Sequence, residues 1–301
     1  MSKQFKMIHR SADDRQYKIL SHMELLPFLY DALSDRSRNS VKSMLRRGQI
    51  FVNHKSITQF NHKLKHGDHV EIVKNEAAKR KAALIGLRIL YEDQDIIVVH
   101  KEAGLLSIAA GREGDLTAHA QLMTYVRKKH PRNRIFVVHR LDRDTSGVMM
   151  FAKSDHIQRQ LQDNWHQMAK ERTYIALVEG RVKKGQETIT SYLKETKTHM
   201  MYSTNTPNGG LRAVTHYKKL RANDAYSLLE VSLETGRKNQ IRVHMKDIGH
   251  PVVGDKKYGS TKNPMKRLGL HAKTLAFVHP RTNKFMRITS DVPKNMLHLV
   301  K

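Results

Sequence analysis

The chain has 301 residues, and 55 Lys and Arg against 28 Asp and Glu give it a formal net charge of +27. A basic excess of this size predicts a polyanionic partner, and it extends over both the first 80 residues and the remainder. The charge leaves one alternative open, namely a basic protein in which charge serves only to maintain solubility. Hydrophobic residues make up 39%, which excludes intrinsic disorder, and the absence of cysteine excludes disulfides, thiolate zinc sites and cysteine nucleophiles.

The sequence shows no sign of a membrane segment. No apolar run approaches the roughly 20 residues that a membrane-spanning helix needs. The first residues, MSKQFK, lack the apolar core of a signal peptide. We therefore expect a cytoplasmic protein without a membrane partner, and the length predicts two domains.

The first quarter of the chain predicts a small domain of helices and strands. Its expected elements are a flexible arm over residues 1–15, a helix over 25–33, a second helix from Ser37 to Gly48, and strands over 50–52 and 69–73. On the second helix Arg38, Lys42 and Arg46 recur at every fourth position. They therefore share one basic face, while apolar residues occupy another.

Residues 77–87 predict a linker, and residues 88–301 a second domain. Its expected elements are strands over 88–91 and 95–99, a helix capped by Asp115 that ends before Pro131, a helix capped by Ser154, strands over 173–178 and 229–233, and a helix over 239–248. Short strands are interspersed with helices here, but they do not form a regular strand-helix repeat. This favours an α+β sheet over a Rossmann fold.

The densest group of reactive side chains is the run His139-Arg-Leu-Asp-Arg-Asp-Thr-Ser-Gly147, which lies between two apolar segments. A loop between buried strands is a rigid place for a reactive group. Asp142 and Asp144 fit a nucleophile, an acid/base pair or a metal site, although the adjacent arginines disfavour a divalent metal. The alternative is a polar turn with surface ion pairs.

This run resembles the signature HRLDxxTSG of the RluA/RluD family of RNA pseudouridine synthases. Further segments similar to the family follow in order: ERTYIALV from Glu171, TGRKNQIRVH from Thr235, GDKKYG from Gly254 and LHA from Leu270. Ser37-Arg38 and the run RRGQIFVN from Arg46 are similar to the core of the S-four type (αL) RNA-binding domain, which residues 16–76 resemble. The resemblance implies an α+β chain, in which a small αL-type RNA-binding domain precedes a mixed, mainly antiparallel-sheet pseudouridine synthase catalytic domain.

Three residues depart from the family pattern. Glu102 stands where a proline is usual, His54 where a glycine is usual, and Asn239 where a histidine is usual. None of them removes a catalytic group that the resemblance implies. Asn239 is the departure that we expect to alter contacts with the substrate.

The resemblance also implies the catalytic residues. Asp142 would be the reacting carboxylate, because an ionised aspartate can attack as a nucleophile or stabilise an electron-poor ribose. Arg242 would pair with Asp142 and hold its side chain. Tyr174 would stack on the uracil and help to remove the proton from carbon 5. Whether Asp142 attacks the ribose, attacks the base or promotes a glycal intermediate stays open.

Contacts with the RNA are implied as well. Arg140 would fill the space left by the flipped nucleotide, and Arg237 and Gln240 would bind the substrate. Arg38, Lys42, Arg46 and Arg47 would bind RNA phosphates. No metal or other cofactor is implied, and we expect His139, His244 and His271 to be packing or RNA-contact residues rather than metal ligands.

We therefore expect a monomeric pseudouridine synthase that acts on structured RNA, with large-subunit ribosomal RNA favoured and tRNA as the alternative. A non-catalytic RNA-binding or ribosome-assembly protein is a second hypothesis. The Asp142, Tyr174 and Arg242 set argues against it, because binding alone does not require those three residues. A DNA-binding regulator ranks last, because it would leave most of the chain unused.

Overall fold

The computed structural model describes residues 4–10, 14–53, 55–73, 84–109 and 116–300. The chain divides into two compact units, Met1–Ile85 with Ile108–Asn133, and Gly86–Ser107 with Arg134–Lys301. The segment Ile108–Asn133 thus groups with the first unit, whereas the sequence analysis assigned it to the second domain. His54, Asp115 and most of the expected linker lie outside the described residues. Among the residues described, no helix is long and apolar enough to span a membrane.

The first unit contains an antiparallel five-stranded sheet in the order β1-β2-β7-β4-β5 and a small β3-β6 pair. The strands are β1 (Phe5–Arg10), β2 (Asp14–Ile19), β3 (Met23–Glu24), β4 (Ile50–Val52), β5 (Lys55–Ser56), β6 (Lys63–Leu64) and β7 (His69–Val73). The expectation of a flexible arm over residues 1–15 is wrong where the chain is described. Phe5 packs edge-on against Tyr17 and Phe28, so burial of this aromatic ring holds β1 on the sheet.

The helices of the first unit are α1 (Leu25–Ala32), α2 (Arg38–Arg46) and α3 (Ala118–Lys129). The hydroxyl of Ser37 accepts a hydrogen bond from the backbone nitrogen of Ser40, which begins α2 as the sequence predicted. Helix α3 begins in the same way, but its cap is Thr117, whose hydroxyl accepts from the backbone nitrogen of Ala120. Asp115 was therefore the wrong choice of cap.

The second unit is built on an eleven-stranded sheet in the order β14-β13-β15-β16-β12-β17-β11-β9-β8, with β10 beside β11 and β18 beside β17. The strands are β8 (Leu87–Glu92), β9 (Ile96–Lys101), β10 (Phe136–Val137), β11 (Ser146–Ala152), β12 (Ala169–Glu179), β13 (Gln186–Glu195), β14 (Met201–Thr204), β15 (Leu211–Ala222), β16 (Tyr226–Leu233), β17 (Leu270–Val278) and β18 (Phe285–Thr289). Of the described pairings only β11 with β17 is parallel. The expected mixed, mainly antiparallel α+β fold is thus confirmed.

The helices of the second unit pack on this sheet. They are α4 (Asp155–Asp163), α5 (Trp165–Met168), α6 (Gln240–Asp247), a 3₁₀ helix (Lys256–Tyr258) and α7 (Lys294–His298). Helix α6 buries Ile241 and Met245 against Val231 of β16, as its apolar spacing predicted. The side chains at the start of α6 are thereby fixed above β12 and β16.

Gly147 allows the closest approach in the sheet. At φ 120°, it lies beside Ala272 of β17, and an added Cβ atom would stand 2.1 Å from the carbonyl oxygen of Ala272. Any side chain here would force β11 and β17 apart. The glycine that ends the signature run therefore brings β11 close to β17.

Candidate active site

The run His139–Gly147, called the signature loop below, leads from β10 into β11. Ser107 fixes its middle, because the Ser107 hydroxyl donates to the backbone oxygen of Leu141 at 2.7 Å and accepts from the Leu141 nitrogen at 3.2 Å. Leu141 itself is buried. The backbone next to Asp142 is thus held at both the nitrogen and the oxygen of Leu141.

Lys101, the last residue of β9, also holds this loop. Its side chain is fully buried, and its Nζ donates to the backbone oxygens of Glu102 at 3.0 Å, Leu105 at 2.7 Å and Arg143 at 2.9 Å. Burial lowers the pKa of Lys101 to about 8, against the effect of nearby carboxylates. An ammonium group has three donors, so each has an acceptor. This role of Lys101 was not predicted from the sequence.

Asp142 forms an ion pair with Arg242, as the sequence analysis expected. Arg242 lies in the first turn of α6, and its Nη1 is 3.2 Å from Oδ2 of Asp142. The Asp142 side chain is 27% exposed and the Arg242 side chain 14%. The carboxylate is therefore accessible to a ligand, whereas the cation behind it is largely shielded from water.

Arg242 has a second and closer carboxylate partner, Asp255. Nε of Arg242 donates to Oδ2 of Asp255 at 2.6 Å and Nη2 donates to Oδ1 at 2.8 Å. Burial opposes the cation, but the hydrogen bonds and charge of Asp255, supported by Asp142, raise the pKa of Arg242 above its usual range. This partner was not predicted from the sequence, although the segment GDKKYG contains it.

Asn239 and Tyr258 complete the surroundings of Arg242. Oδ1 of Asn239 accepts from Nη1 of Arg242 at 3.1 Å, and Nδ2 of Asn239 donates to the Tyr258 hydroxyl at 2.9 Å. The guanidinium carbon lies 4.8 Å from the centre of the Tyr258 ring. Asn239 has a left-handed backbone with φ 55°, which asparagine tolerates. The departure at this position therefore contacts Arg242.

The six residues expected to act in catalysis or substrate binding line a single pocket of the second unit. They are Arg140, Asp142, Tyr174, Arg237, Gln240 and Arg242. Arg140 is exposed at this pocket. Residues from the signature loop, β12 and α6 thus converge, although up to 102 positions of the sequence separate them.

Tyr174 contributes an aromatic ring to the pocket from β12. Burial raises the pKa of its hydroxyl to about 12; Arg172 acts against this shift and Asp142 adds to it. The phenol is therefore protonated at neutral pH. This favours stacking over action as a base in the resting enzyme.

Gln240 lines the pocket, but its amide is already bonded within the protein. Its Oε1 accepts from the Thr235 hydroxyl at 2.8 Å and from the Arg237 nitrogen at 3.0 Å. Its Nε2 donates to the Val214 oxygen and the Thr215 hydroxyl, both at 2.9 Å. These bonds argue against the expected contact of Gln240 with the substrate and favour a role in holding Arg237 in place.

The three histidines of the family-like segments are packing residues in the second unit. His139 stacks on Trp165 and accepts from the Met150 nitrogen at 3.1 Å. His244 and His271 are fully buried and bonded to hydroxyl groups. Burial lowers the pKa of each histidine to about 4, so all three are neutral at pH 7.

Within the described ranges, one group of side chains has the spacing of metal ligands. Asp93, Asp95 and His279 offer ligand atoms within 4.8 Å of one another. However, Oδ2 of Asp93 accepts from the Tyr91 hydroxyl at 2.8 Å, and Asp95 is paired with Arg281. Asp142 does not belong to this group, so the candidate active site is built around an arginine instead.

The basic face of α2 is exposed in the first unit. Arg38, Lys42, Arg46 and Arg47 are exposed, and none forms an ion pair with a described residue. Arg38 lies 5.4 Å from the Tyr30 ring centre. Four exposed cations on and just after one helix give this unit a surface suited to phosphates.

Comparison with known proteins identifies the family. Residues 95–247 match the family model described as RNA pseudouridylate synthase. The chain belongs to the RluA/RluD-type family of RNA pseudouridine synthases. It is 35% identical over 91% of its length to the uncharacterized RNA pseudouridine synthase YlyB of Bacillus subtilis, covering 92% of that protein. It is 32% identical over 89% of its length to ribosomal large subunit pseudouridine synthase D of Neisseria meningitidis, covering 75% of that protein.

Solved structures agree with the assignment. Human RNA pseudouridylate synthase domain containing 1 has a TM-score of 0.54 and 26% identity, and the match covers 70% of this chain and 85% of that one. Human RNA pseudouridylate synthase domain containing 4 has a TM-score of 0.58 at 22% identity, over 70% of this chain and 90% of that one. The enzyme class expected from the sequence is therefore confirmed, and its substrate is RNA.

Proposed function

We propose that this pseudouridine synthase isomerises uridines in large-subunit ribosomal RNA and that Asp142 is the reacting carboxylate. The observation that carries the proposal is the ion pair of Asp142 with Arg242 in the pocket that Tyr174 also lines. The accessible carboxylate faces the space where a flipped nucleotide would enter. Its cation partner is shielded, so the pair is strong enough to orient the carboxylate without blocking it.

The chemistry can be written for attack of Asp142 at the ribose. An Asp142 oxygen bonds to ribose carbon 1, the bond from that carbon to uracil nitrogen 1 breaks, and the electron pair leaves with the base. The uracil turns, its carbon 5 bonds to ribose carbon 1, and the carboxylate is released. The proton of carbon 5 passes to solvent, and nitrogen 1 takes up a proton from solvent. Atoms and electrons balance without a cofactor.

Tyr174 and Arg140 serve the flipped nucleotide in this proposal. The ring of Tyr174 stacks on the uracil and keeps its plane fixed while the base turns. Arg140, exposed at the pocket, occupies the position that the nucleotide leaves. A cation with a planar head group can stack between the neighbouring bases there.

The favoured RNA is large-subunit ribosomal RNA, with tRNA as the alternative. The proposal rests on the relative from Neisseria meningitidis, whose name assigns it to the ribosomal large subunit. The basic face of α2 would supply affinity through phosphates in the manner of an S-four type domain, and the second unit would select the uridine. A net charge of +27 fits a long, structured RNA.

The test uses RNA labelled with tritium at carbon 5 of uridine. The full chain is incubated separately with unmodified large-subunit ribosomal RNA, small-subunit ribosomal RNA and a tRNA mixture, and released tritium is counted. We expect tritium release from large-subunit RNA, and we expect the pseudouridine to map to a defined position. Release from tRNA alone would contradict the proposed substrate, and binding without release from any RNA would favour a non-catalytic RNA-binding protein.

A further inference from the structure

The charges that meet at Arg242 are unequal, because this one cation lies between two carboxylates, Asp142 and Asp255. Asp255 is 1% exposed, and among the described residues its two carboxylate oxygens bind only Arg242. Asp142 is more exposed and shares a single nitrogen of the same guanidinium. Arg242 is therefore anchored by Asp255, whereas Asp142 is the partner that can leave.

The backbone that carries Asp255 is held independently of Arg242. Gly254 before it has φ +80°, and an added Cβ atom there would lie 2.4 Å from the Arg267 oxygen. The backbone oxygen of Asp255 accepts from the nitrogens of Tyr258 and Ser260, each at 3.0 Å. The tight turn thus fixes the backbone from which the carboxylate reaches Arg242, as a preorganised site requires.

The reaction removes the charge of Asp142. Under the proposed function, attack on the ribose or the base turns its carboxylate into an ester, and proton abstraction on the glycal route turns it into an acid. With Asp255 present, this step leaves a neutral pair of Arg242 and Asp255. Without Asp255 it would leave a shielded cation with no carboxylate, which is strongly unfavourable.

We propose that Asp255 is a positioning residue that stays the counterion of Arg242 while the charge of Asp142 is consumed. The role of Asp255 in the reaction rests on the proposed function. Its role as the counterion of Arg242 in the folded protein does not. The proposal holds for each of the three chemical routes, since all of them neutralise Asp142. It also explains why the bidentate pair is directed at the carboxylate that does not react.

The first test needs no activity. Asp142→Asn, Asp255→Asn and the double variant are unfolded with urea in the full chain, followed by the fluorescence of Trp165, the single tryptophan and a residue of the second unit. Each single variant leaves Arg242 one carboxylate, and the double variant leaves none. We expect the double variant to raise the unfolding equilibrium constant at least about tenfold beyond the product of the single effects. If the effects of the two single variants on the unfolding equilibrium constant simply multiply in the double variant, the proposal is wrong.

A double variant that fails to fold is covered by a third change. Adding Arg242→Met removes the cation, and buried ion pairs are often replaced by apolar groups without loss of stability. We expect the triple variant to fold. A triple variant that stays unfolded would show that Asp255 has a different, structural role and would overturn the proposal.

The second test measures the single-turnover rate at saturating enzyme. Asp255→Asn should slow the rate roughly 100-fold while RNA affinity stays within a few-fold. The matched control is Asp95→Asn, which removes another buried carboxylate paired with an arginine, Arg281, and should stay within about threefold of the wild type. A folded Asp255→Asn variant with wild-type rate would overturn the proposal. An inactive wild type would instead refute the proposed function, and the urea experiment would still decide the role of Asp255.

Discussion

The guanidinium of Arg242 meets Asp142 through one nitrogen at 3.2 Å. A single contact of this length orients a carboxylate without fixing both of its oxygens, and no described residue is bonded to the second oxygen, which can therefore meet the substrate. The remaining nitrogens of Arg242 are bound to Asp255. Asp255 thus holds the cation in place, whereas Asp142 is oriented by the cation and remains available to react.

Arg242→Ala should lose rate rather than affinity. Its partners are carboxylates and an amide, so its removal misorients Asp142 without removing a phosphate contact. We expect the single-turnover rate at saturating enzyme to fall at least about 100-fold, with RNA affinity within a few-fold. Arg212→Ala, which removes an exposed arginine paired with Glu234, is the control and should keep its rate. A purely affinity-based defect would identify Arg242 as an RNA contact.

The basic face of α2 should determine the salt dependence of RNA binding. Replacing Arg38, Lys42 and Arg46 with alanine should reduce the slope of log affinity against log salt by roughly 2 to 3, because each phosphate contact contributes about 0.7 to 0.9. The single-turnover rate at saturating enzyme should change much less. Measurements at several salt concentrations decide this. An unchanged slope would exclude this face as an RNA-binding surface.

A control for the α2 variant removes charge from the second unit. Arg159→Ala and Arg181→Ala delete exposed arginines that are paired with Asp155 and Asp224. Because these arginines already have carboxylate partners, their loss should leave the slope nearly unchanged. A slope reduced equally by the control would mean that net charge, and not the α2 face, governs binding.

Stability should fall as the pH is lowered from about 6.5 to 4. Burial lowers the pKa of His139, His244 and His271 to about 4, whereas histidine in an unfolded chain titrates near 6.5. Between these values the unfolded state binds more protons, so each histidine lowers the free energy of unfolding by up to about 1.4 kcal/mol per pH unit. Urea midpoints at several pH values, read from Trp165 fluorescence, measure this.

His244→Gln isolates one of these contributions. The glutamine keeps polar atoms beside Ser191 and Thr215 but does not titrate. The loss of stability between pH 6.5 and 4 should therefore be smaller than in the wild type by the contribution of one histidine. An equally steep loss in this variant would show that His244 does not take up a proton on unfolding.

Removing metal should leave the rate unchanged. Asp142 is paired with a guanidinium, and the Asp93, Asp95 and His279 group is engaged by Tyr91 and Arg281. We expect protein dialysed against chelator to isomerise RNA that was folded separately with magnesium at the undialysed rate. Recovery of activity only after zinc or magnesium is returned to the protein would contradict a metal-free mechanism.

Amphipathic spacing was enough to predict α2, α4 and α6, because each buries one apolar face against its own unit. It failed for β1, which pairs with β2 although its apolar Met7 and Ile8 are exposed, and in which Phe5 packs against Tyr17 and Phe28. Local patterns do not record such distant aromatic contacts.

Part of the site also could not be predicted from sequence patterns. Asp142 and Arg242 are 100 residues apart, so family resemblance rather than spacing predicted their contact. Lys101 and Asp255 were missed because their roles depend on which backbone oxygens and which guanidinium the fold brings to them. Gln240 was expected to contact the substrate because the sequence of the protein cannot show that the Gln240 amide is already bonded within the fold.

Replacing the charge of Asp142 at constant size tests most directly whether this carboxylate reacts. Tritium release from large-subunit RNA labelled at carbon 5 is compared for the wild type, Asp142→Asn and Asp144→Asn. Asp144 lies two positions away and forms an exposed pair with Arg143, so it controls for the loss of a carboxylate in the same loop. We predict no release by Asp142→Asn with RNA affinity within a few-fold, and release by Asp144→Asn close to the wild type. Substantial release by pure Asp142→Asn would contradict the assignment.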